Sequence, residues 1–197
     1  EVLRPDWTFE NLLVGAYNRF AHAAAMSVVA SPGSMYNPLF LYGMPGTGKS
    51  HLMQAIAAAL SKGLGDASLL ITSGARLSRM VAVAQERGAM DDIDAKVAGS
   101  TAIFVDDIHL MAVTEKNKEA LAKIFKTFFE RNQQVVLTSL YPPRALGALE
   151  EALKFSFSKG WSVDLKLPSS GVQKELIAAV CDRLRVQFSS EDFGRLQ

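Results

Sequence analysis

The stretch LYGMPGTGKSHLMQAI, residues 41–56, decides the fold of this chain. It starts at the end of a short apolar run and finishes in apolar residues at helical spacing. Between the two, GMPGTGKS, residues 43–50, satisfies the phosphate-loop pattern G-x-x-x-x-G-K-S/T. Because the motif lies after a predicted strand and before a predicted helix, the sequence predicts an α/β domain that binds nucleotide phosphates.

Each part of the loop has a predicted task. The glycines allow backbone N–H groups to turn towards phosphate oxygens, and the following helix adds the positive end of its dipole. We expect Lys49 to reach the β- and γ-phosphates and the Ser50 hydroxyl to hold Mg²⁺. The predicted phosphate-binding residues are Gly43, Met44, Pro45, Gly46, Thr47, Gly48, Lys49 and Ser50.

A second apolar run, AIFVDD at residues 102–107, ends in two carboxylates. Because successive strand residues point to opposite sides, Asp106 and Asp107 cannot perform the same task. We expect Asp106 to complete the Mg²⁺ shell through water, and Asp107 to orient or deprotonate the attacking water. The alternative is a charged pair that only closes a strand. His51 and His109 lie nearby in sequence and are expected to be packed or solvated rather than catalytic.

Short apolar runs alternate with longer helical patterns along the chain, which is typical of βαβ units. The runs at 102–106 and 134–138 are continuously apolar, so we expect central strands. WSVDLKL, residues 161–167, alternates apolar and polar residues and is expected at an edge. The predicted fold class is α/β, a doubly wound parallel sheet of five strands at residues 38–42, 68–72, 102–106, 134–138 and 162–167.

The composition is that of a single domain whose charges nearly balance, so the domain has no strong overall electrostatic field. Among 197 residues, 21 Lys and Arg face 20 Asp and Glu, so any binding of nucleic acid must be local. No apolar run reaches the roughly 18 to 20 residues of a membrane helix, and the single Cys181 fits a reducing compartment. We therefore expect a cytoplasmic protein that does not enter membranes. Because the chain begins at Glu1, we also expect a piece of a longer protein.

Together with the segment ahead of the loop, these residues resemble the AAA+ module of the bacterial replication initiator DnaA and its relative Hda. The resemblance covers residues 7–185. Its most specific parts are Phe9, Val14, Gly15, Asn18, AHAAA at 21–25, YNPLFLYG at 36–43, VDDIHL at 105–110 and NQQVVLTS at 132–139.

The resemblance implies an AAA+ base domain at residues 1–167 and the first part of a helical lid at 168–197. It implies ATP or ADP between the two, with Val14 and Asn18 in the leading segment at the adenine. It also implies filament assembly on origin DNA and melting of the duplex.

An added helical element at residues 76–98 would, on the same resemblance, contact single-stranded DNA. Its candidate phosphate contacts are Arg76, Arg79 and Arg87. The same helix region carries Glu86, Asp91, Asp92 and Asp94, so the arginines could equally form a solvated face.

The chain departs from the family pattern at two places. Leu140 stands where the family has an aspartate that senses the γ-phosphate, and the hydroxyl of Ser139 or Thr138 is the candidate replacement. Ala152 and Ser156 stand where the family has arginines, one of which acts on the neighbouring subunit's ATP. Such an arginine finger is worth on the order of 10³ to 10⁵ in rate, so we expect slow hydrolysis. Lys154 and Lys159 are candidate partial substitutes.

Three functions remain open from the sequence. The leading hypothesis is a nucleotide-switched module with weak ATPase activity that acts in or regulates DNA replication initiation, with replication proteins or further copies of itself as partners. The second is a non-catalytic adaptor in which nucleotide is a structural ligand. The third is a helicase-loader ATPase whose arginine comes from a partner.

Overall fold

The computed structural model describes residues 3–63 and 68–184. Their five strands form one sheet in the order β2-β3-β4-β1-β5, and every neighbouring pair is parallel. The predicted doubly wound α/β fold is confirmed, including the edge position of the last strand. The strands are β1 (Leu39–Tyr42), β2 (Ser68–Ser73), β3 (Ser100–Asp106), β4 (Gln134–Ser139) and β5 (Trp161–Asp164).

The helices cover both faces of the sheet because the strand side chains alternate. On one face, Leu39 and Leu41 pack with the first two helices, and on the other, Phe40 packs with the third, fifth and sixth. The helices are α1 (Arg19–Ala30), α2 (Lys49–Gly63), α3 (Gly74–Arg87), α4 (Met90–Ala98), α5 (Lys118–Glu130), α6 (Gly147–Leu153) and α7 (Ser170–Leu184). Among the described residues, no helix is long and apolar enough to cross a membrane.

The strand order places the candidate site. From β1 the chain travels to the far edge at β2, returns through β3 and β4, and then passes β1 to reach β5. In parallel sheets a crevice forms at the carboxyl ends of the strands where the order reverses, here between β1 and β4. The phosphate loop leaves β1 at this edge, and Asp106 ends β3 there.

The element after β2, predicted as one helical region at residues 76–98, consists of α3 and α4. Gly88 ends α3 in the left-handed conformation at φ 67°, which suits glycine. Of the predicted lid segment 168–197, the structure describes α7 as far as Leu184, and residues 185–197 lie outside the described part. The division into base and lid stays a prediction.

Candidate nucleotide-binding site

The loop at residues 43–48 owes its shape to three glycines with positive φ. Gly46 and Gly48 have φ of 79° and 91°, and an added Cβ at either would meet no atom within 4 Å. They are therefore needed for backbone conformation rather than for packing. Gly43 differs, because an added Cβ would lie 2.3 Å from the carbonyl oxygen of Leu165, just after β5. Only a hydrogen fits between these two backbones.

Lys49 is held firmly at the first turn of α2. The residue is only 6% exposed, and its Nζ donates to the carbonyl oxygens of Gly43 and Met44, at 2.9 Å each. Burial lowers the pKa of the Lys49 ammonium, whereas the nearby carboxylates of Asp107 and Asp106 raise it. The loop lysine and the carboxylate pair therefore lie close enough to influence one another's charge, and the roles predicted for them stay predictions.

The two carboxylates have different environments. Asp106 is the last residue of β3, and its carboxylate accepts a hydrogen bond from the Thr138 hydroxyl. Asp107 leaves the strand in the left-handed conformation at φ 47°, and its N–H donates to the Thr138 Oγ1 at 2.9 Å. One buried hydroxyl on β4 therefore fixes the geometry of both aspartates.

Asp107 is also distinct electrostatically. Burial, and then the neighbouring Asp106 carboxylate, raise the pKa of Asp107, while His109 and Lys49 act in the opposite direction. A carboxylate that is reluctant to stay charged is a suitable acceptor for a proton from water. This is the chemistry expected of Asp107, whose catalytic role stays a prediction.

The donor set fits magnesium rather than a metal that needs several protein ligands. Among residues 3–63 and 68–184, no group of three or more His, Cys, Asp or Glu could hold a metal ion. Mg²⁺ in nucleotide sites takes one or two protein oxygens, phosphate oxygens and water. The half-buried Ser50 hydroxyl and the Asp106 carboxylate match that requirement.

Ser139, a candidate replacement for the family's phosphate-sensing aspartate, has a hydroxyl that already takes part in a hydrogen bond. The Oγ of Ser139 accepts a hydrogen bond from the N–H of Tyr141 at 2.9 Å, and its carbonyl oxygen accepts from the N–H of Gly43 at 3.3 Å. Thr138, by contrast, touches Asp106 directly. The catalytic role predicted for Ser139 remains a prediction, and Thr138 is the hydroxyl that the structure places at the carboxylates.

Both lysines proposed to replace the arginine finger are engaged within the chain. Lys154 Nζ donates to the carboxylate of Glu119, at 3.0 and 3.1 Å. Lys159 Nζ lies 4.2 Å from the ring centroid of Phe129. The Ser156 hydroxyl is directed to Glu150 at 3.3 Å. Both lysines therefore have partners within the chain, and their predicted role as substitutes for the arginine stays a prediction.

The leading segment forms a folded loop beside the phosphate loop. Asn18 is buried, and its side chain accepts from the N–H of Gly15 and donates to the carbonyl of Leu13, both at 2.9 Å. Val14, in the middle of this loop, is 49% exposed. Asn18 therefore shapes the loop and Val14 is open to contact, which is compatible with their predicted place at the adenine.

The three arginines predicted to contact DNA lie along one cavity of about 720 Å³ between α3 and α4, which we call the α3–α4 groove. Its lining is mainly apolar and includes Met80, Val83 and Ile93, and Asp92 is also part of it. Asp94, on α4, is paired instead with Lys123 at 2.5 Å. The arginines that share the groove are Arg76, Arg79 and Arg87.

Comparison with known proteins agrees with this geometry. A family model described as the bacterial DnaA ATPase domain matches residues 3–164. The chromosomal replication initiator protein DnaA of Herpetosiphon aurantiacus is 35% identical over 190 residues, which is 96% of this chain and 40% of that protein. The chain thus spans about two fifths of the length of this curated relative.

Two solved structures are similar over nearly the whole chain. Domain III of the Thermotoga maritima initiator DnaA superposes with a TM-score of 0.89 at 26% identity, covering 98% of this chain and 80% of that one. A replication initiator DnaA bound to AMPPCP and single-stranded DNA superposes with a TM-score of 0.85 at 24% identity, covering 100% of this chain and 60% of that one. Because the second structure is only 24% identical in sequence, this similarity supports the fold alone.

Proposed function

The chain belongs to the bacterial DnaA ATPase-domain family, and we propose that it binds ATP and ADP with Mg²⁺ and acts as a nucleotide-dependent switch in bacterial replication initiation, with slow hydrolysis of its own. The contact that carries the proposal is that of Lys49 Nζ with the Gly43 and Met44 carbonyls, beside Asp106 and Asp107. The Lys49 ammonium has three N–H donors and uses two of them on these carbonyls, so one is left for a phosphate oxygen.

Ser50 and Asp106 would hold the magnesium ion, whose charge offsets that of the phosphate oxygens. Thr138 orients Asp106, and Gly46 and Gly48 give the loop the conformation in which backbone N–H groups can face an anion. Val14 and Asn18 would complete the site on the adenine side.

Slow hydrolysis follows from three residues. Leu140 has no side-chain group that could hydrogen-bond a phosphate, and Ala152 and Ser156 cannot act as arginine fingers. Lys154 is paired with Glu119 at the surface, and it lacks the planar fork of an arginine, which supports slow rather than fast turnover. Without a trans arginine we expect turnover lower by about 10³-fold or more than in an enzyme that has one.

We further propose that single-stranded DNA lies along the α3–α4 groove, with its phosphates on the three arginines that line it. The groove combines exposed arginines, which can contact a phosphate backbone, with an apolar lining that includes Met80, Val83 and Ile93. Binding would be local, in keeping with the net charge of +1. Further copies of the chain or other replication proteins would then extend the contact.

Calorimetry tests the proposal directly. We expect purified protein to bind ADP and ATP with Mg²⁺, and Lys49→Ala to lose most of this affinity while its melting temperature without nucleotide stays close to that of the wild type. Lys62→Ala is the matched control, because Lys62 is an exposed lysine in the last turn of the same helix. Lack of heat with both nucleotides at millimolar concentration would refute the proposal, and brisk turnover by the isolated chain would refute the slow switch.

A further inference from the structure

We propose that His109 is a positioning residue that couples the Asp107 carboxylate to the chain segment after β4, so that the state of the nucleotide site reaches the surface at Tyr141. This inference rests on the proposed function and specifies how the switch is read. Asp107 is followed by a short 3₁₀ turn at Ile108–Leu110, which contains His109.

The imidazole lies between two partners. Its side chain is 7% exposed. Its Nδ1 is 3.4 Å from the backbone nitrogen of Leu140, from which it accepts a hydrogen bond, and 4.0 Å from Oδ1 of Asp107. The same ring atom thus faces the end of β4 on one side and the carboxylate on the other.

One nitrogen atom cannot serve both partners at once. When Nδ1 carries its lone pair it accepts from the N–H of Leu140. When it carries a hydrogen it can donate to Asp107 instead, once the 4.0 Å separation shortens to hydrogen-bond distance. Both forms exist in neutral imidazole, so the exchange needs no change in net charge. His109 therefore has two mutually exclusive arrangements, which is the element that a switch requires.

Asp107 is linked to the nucleotide site because its backbone N–H and the Asp106 carboxylate share the Thr138 hydroxyl. Phosphate and magnesium would alter the charge around these two aspartates. Leu140 has no side-chain group to sense the change, but its backbone N–H is linked to the same centre through His109. A hydrogen bond to the main chain thus substitutes for the family's aspartate side chain at this position.

The other side of the ring is connected to the surface. The rings of His109 and Tyr141 meet edge to face, with centroids 5.5 Å apart and an interplanar angle of 85°. Tyr141 is 51% exposed, and its N–H is bound to Ser139. Rearrangement of His109 would move the segment at Leu140 and Tyr141, where a partner could detect it.

Long-range proton–nitrogen NMR of the ¹⁵N-labelled protein tests this on the unaltered chain, because it has only three histidines. His109→Gln assigns the signal. We expect the Nδ1 shift of a bare acceptor nitrogen without nucleotide, and a change towards a protonated Nδ1 with AMPPCP and Mg²⁺ but not with ADP and Mg²⁺. The Tyr141 backbone resonance should shift in the same titration.

Calorimetry on the same samples provides a second measurement. Glutamine can accept from Leu140 and donate to Asp107 at the same time, so His109→Gln should change the ratio of the ADP and AMPPCP dissociation constants by about two- to tenfold, the value of one net hydrogen bond. His22→Gln is the control, since His22 lies on α1 against Phe9. If both nucleotides bind but the Nδ1 shift and the ratio are unchanged, the inference is wrong and the proposed function stands. If neither nucleotide binds, the proposed function fails and this inference with it.

Discussion

Thr138→Val is the substitution that tests the site most directly, because one hydroxyl joins both aspartates. Thr138 is fully buried, its Oγ1 donates to Asp106, and it accepts from the N–H of Asp107 at 2.9 Å. Valine keeps the shape and the strand preference of threonine, so the loss is confined to these two hydrogen bonds.

The expected cost can be worked out from the two contacts. A buried N–H left without an acceptor costs about 1 to 3 kcal/mol, and a hydrogen bond to a charged group contributes about 1.5 to 3 kcal/mol. Asp106 is only half-buried, so water recovers part of the second amount. We expect the free energy of unfolding to fall by about 2 to 4 kcal/mol, or the melting temperature by about 5 to 15 °C for a domain of this size.

Thermal and urea unfolding without nucleotide measure this change. The matched control is Thr101→Val, which removes a strand hydroxyl that donates to the Ser68 carbonyl at 3.3 Å, at the rim of the sheet. That variant should lose about 1 kcal/mol or less. Equal losses for Thr138→Val and Thr101→Val would show that the hydroxyl does not organise the aspartates. We also expect Mg²⁺ to strengthen ADP binding less in Thr138→Val than in the wild type.

Three further outcomes follow from the structure. Gly43→Ala should unfold at lower temperature and bind ADP at least tenfold more weakly, because its Cβ would meet the Leu165 carbonyl; a wild-type melting curve and affinity would contradict this. Asp107→Asn should raise the melting temperature near pH 7 but not near pH 3. The pKa of Asp107 is raised in the folded protein, so the charged carboxylate costs stability once the pH rises through that pKa, and asparagine avoids this cost. Equal gains in melting temperature at both pH values would contradict the assignment. Alanine at the three arginines of the α3–α4 groove should flatten the salt dependence of single-stranded DNA binding, by about 0.7 in logarithmic slope per lost phosphate contact. Arg144→Ala, on the turn after β4 and outside the groove lining, should leave the slope unchanged.

The strands could be predicted from the sequence because burial leaves a strong local pattern. The core strands lie within two residues of their predicted positions, since continuous apolar runs are what a sheet covered on both faces requires. The last strand is shorter than predicted. The N–H of Leu165 still donates to Tyr42, but the next N–H, at Lys166, donates to Tyr17 in the leading segment. β5 ends here because its partner β1 ends at Tyr42, where Gly43 opens the phosphate loop, and the alternating pattern of residues 161–167 does not show where the partner strand ends.

The candidate site likewise has one part that could be predicted from the sequence and one part that could not. The phosphate loop is contiguous in sequence, so its glycines and Lys49 could be assigned from spacing. The contacts of Thr138 and His109 depend on the register of β3 against β4, which pairs Val105 with Leu137 and so places the next residues, Asp106 and Thr138, side by side. Both hydroxyls of the Thr-Ser pair were candidates from the sequence, but their different partners are set by the sheet and not by the motif.

The close approach of Gly43 to the Leu165 backbone has a consequence for durability. The outermost strand of a sheet is ordinarily the part that detaches first and matters least. Here the backbone just after β5 packs against Gly43, the first residue of the phosphate loop. Fraying of β5 would therefore remove a contact that supports the loop. We therefore expect phosphate binding to depend on β5 staying paired with β1 at this edge of the sheet.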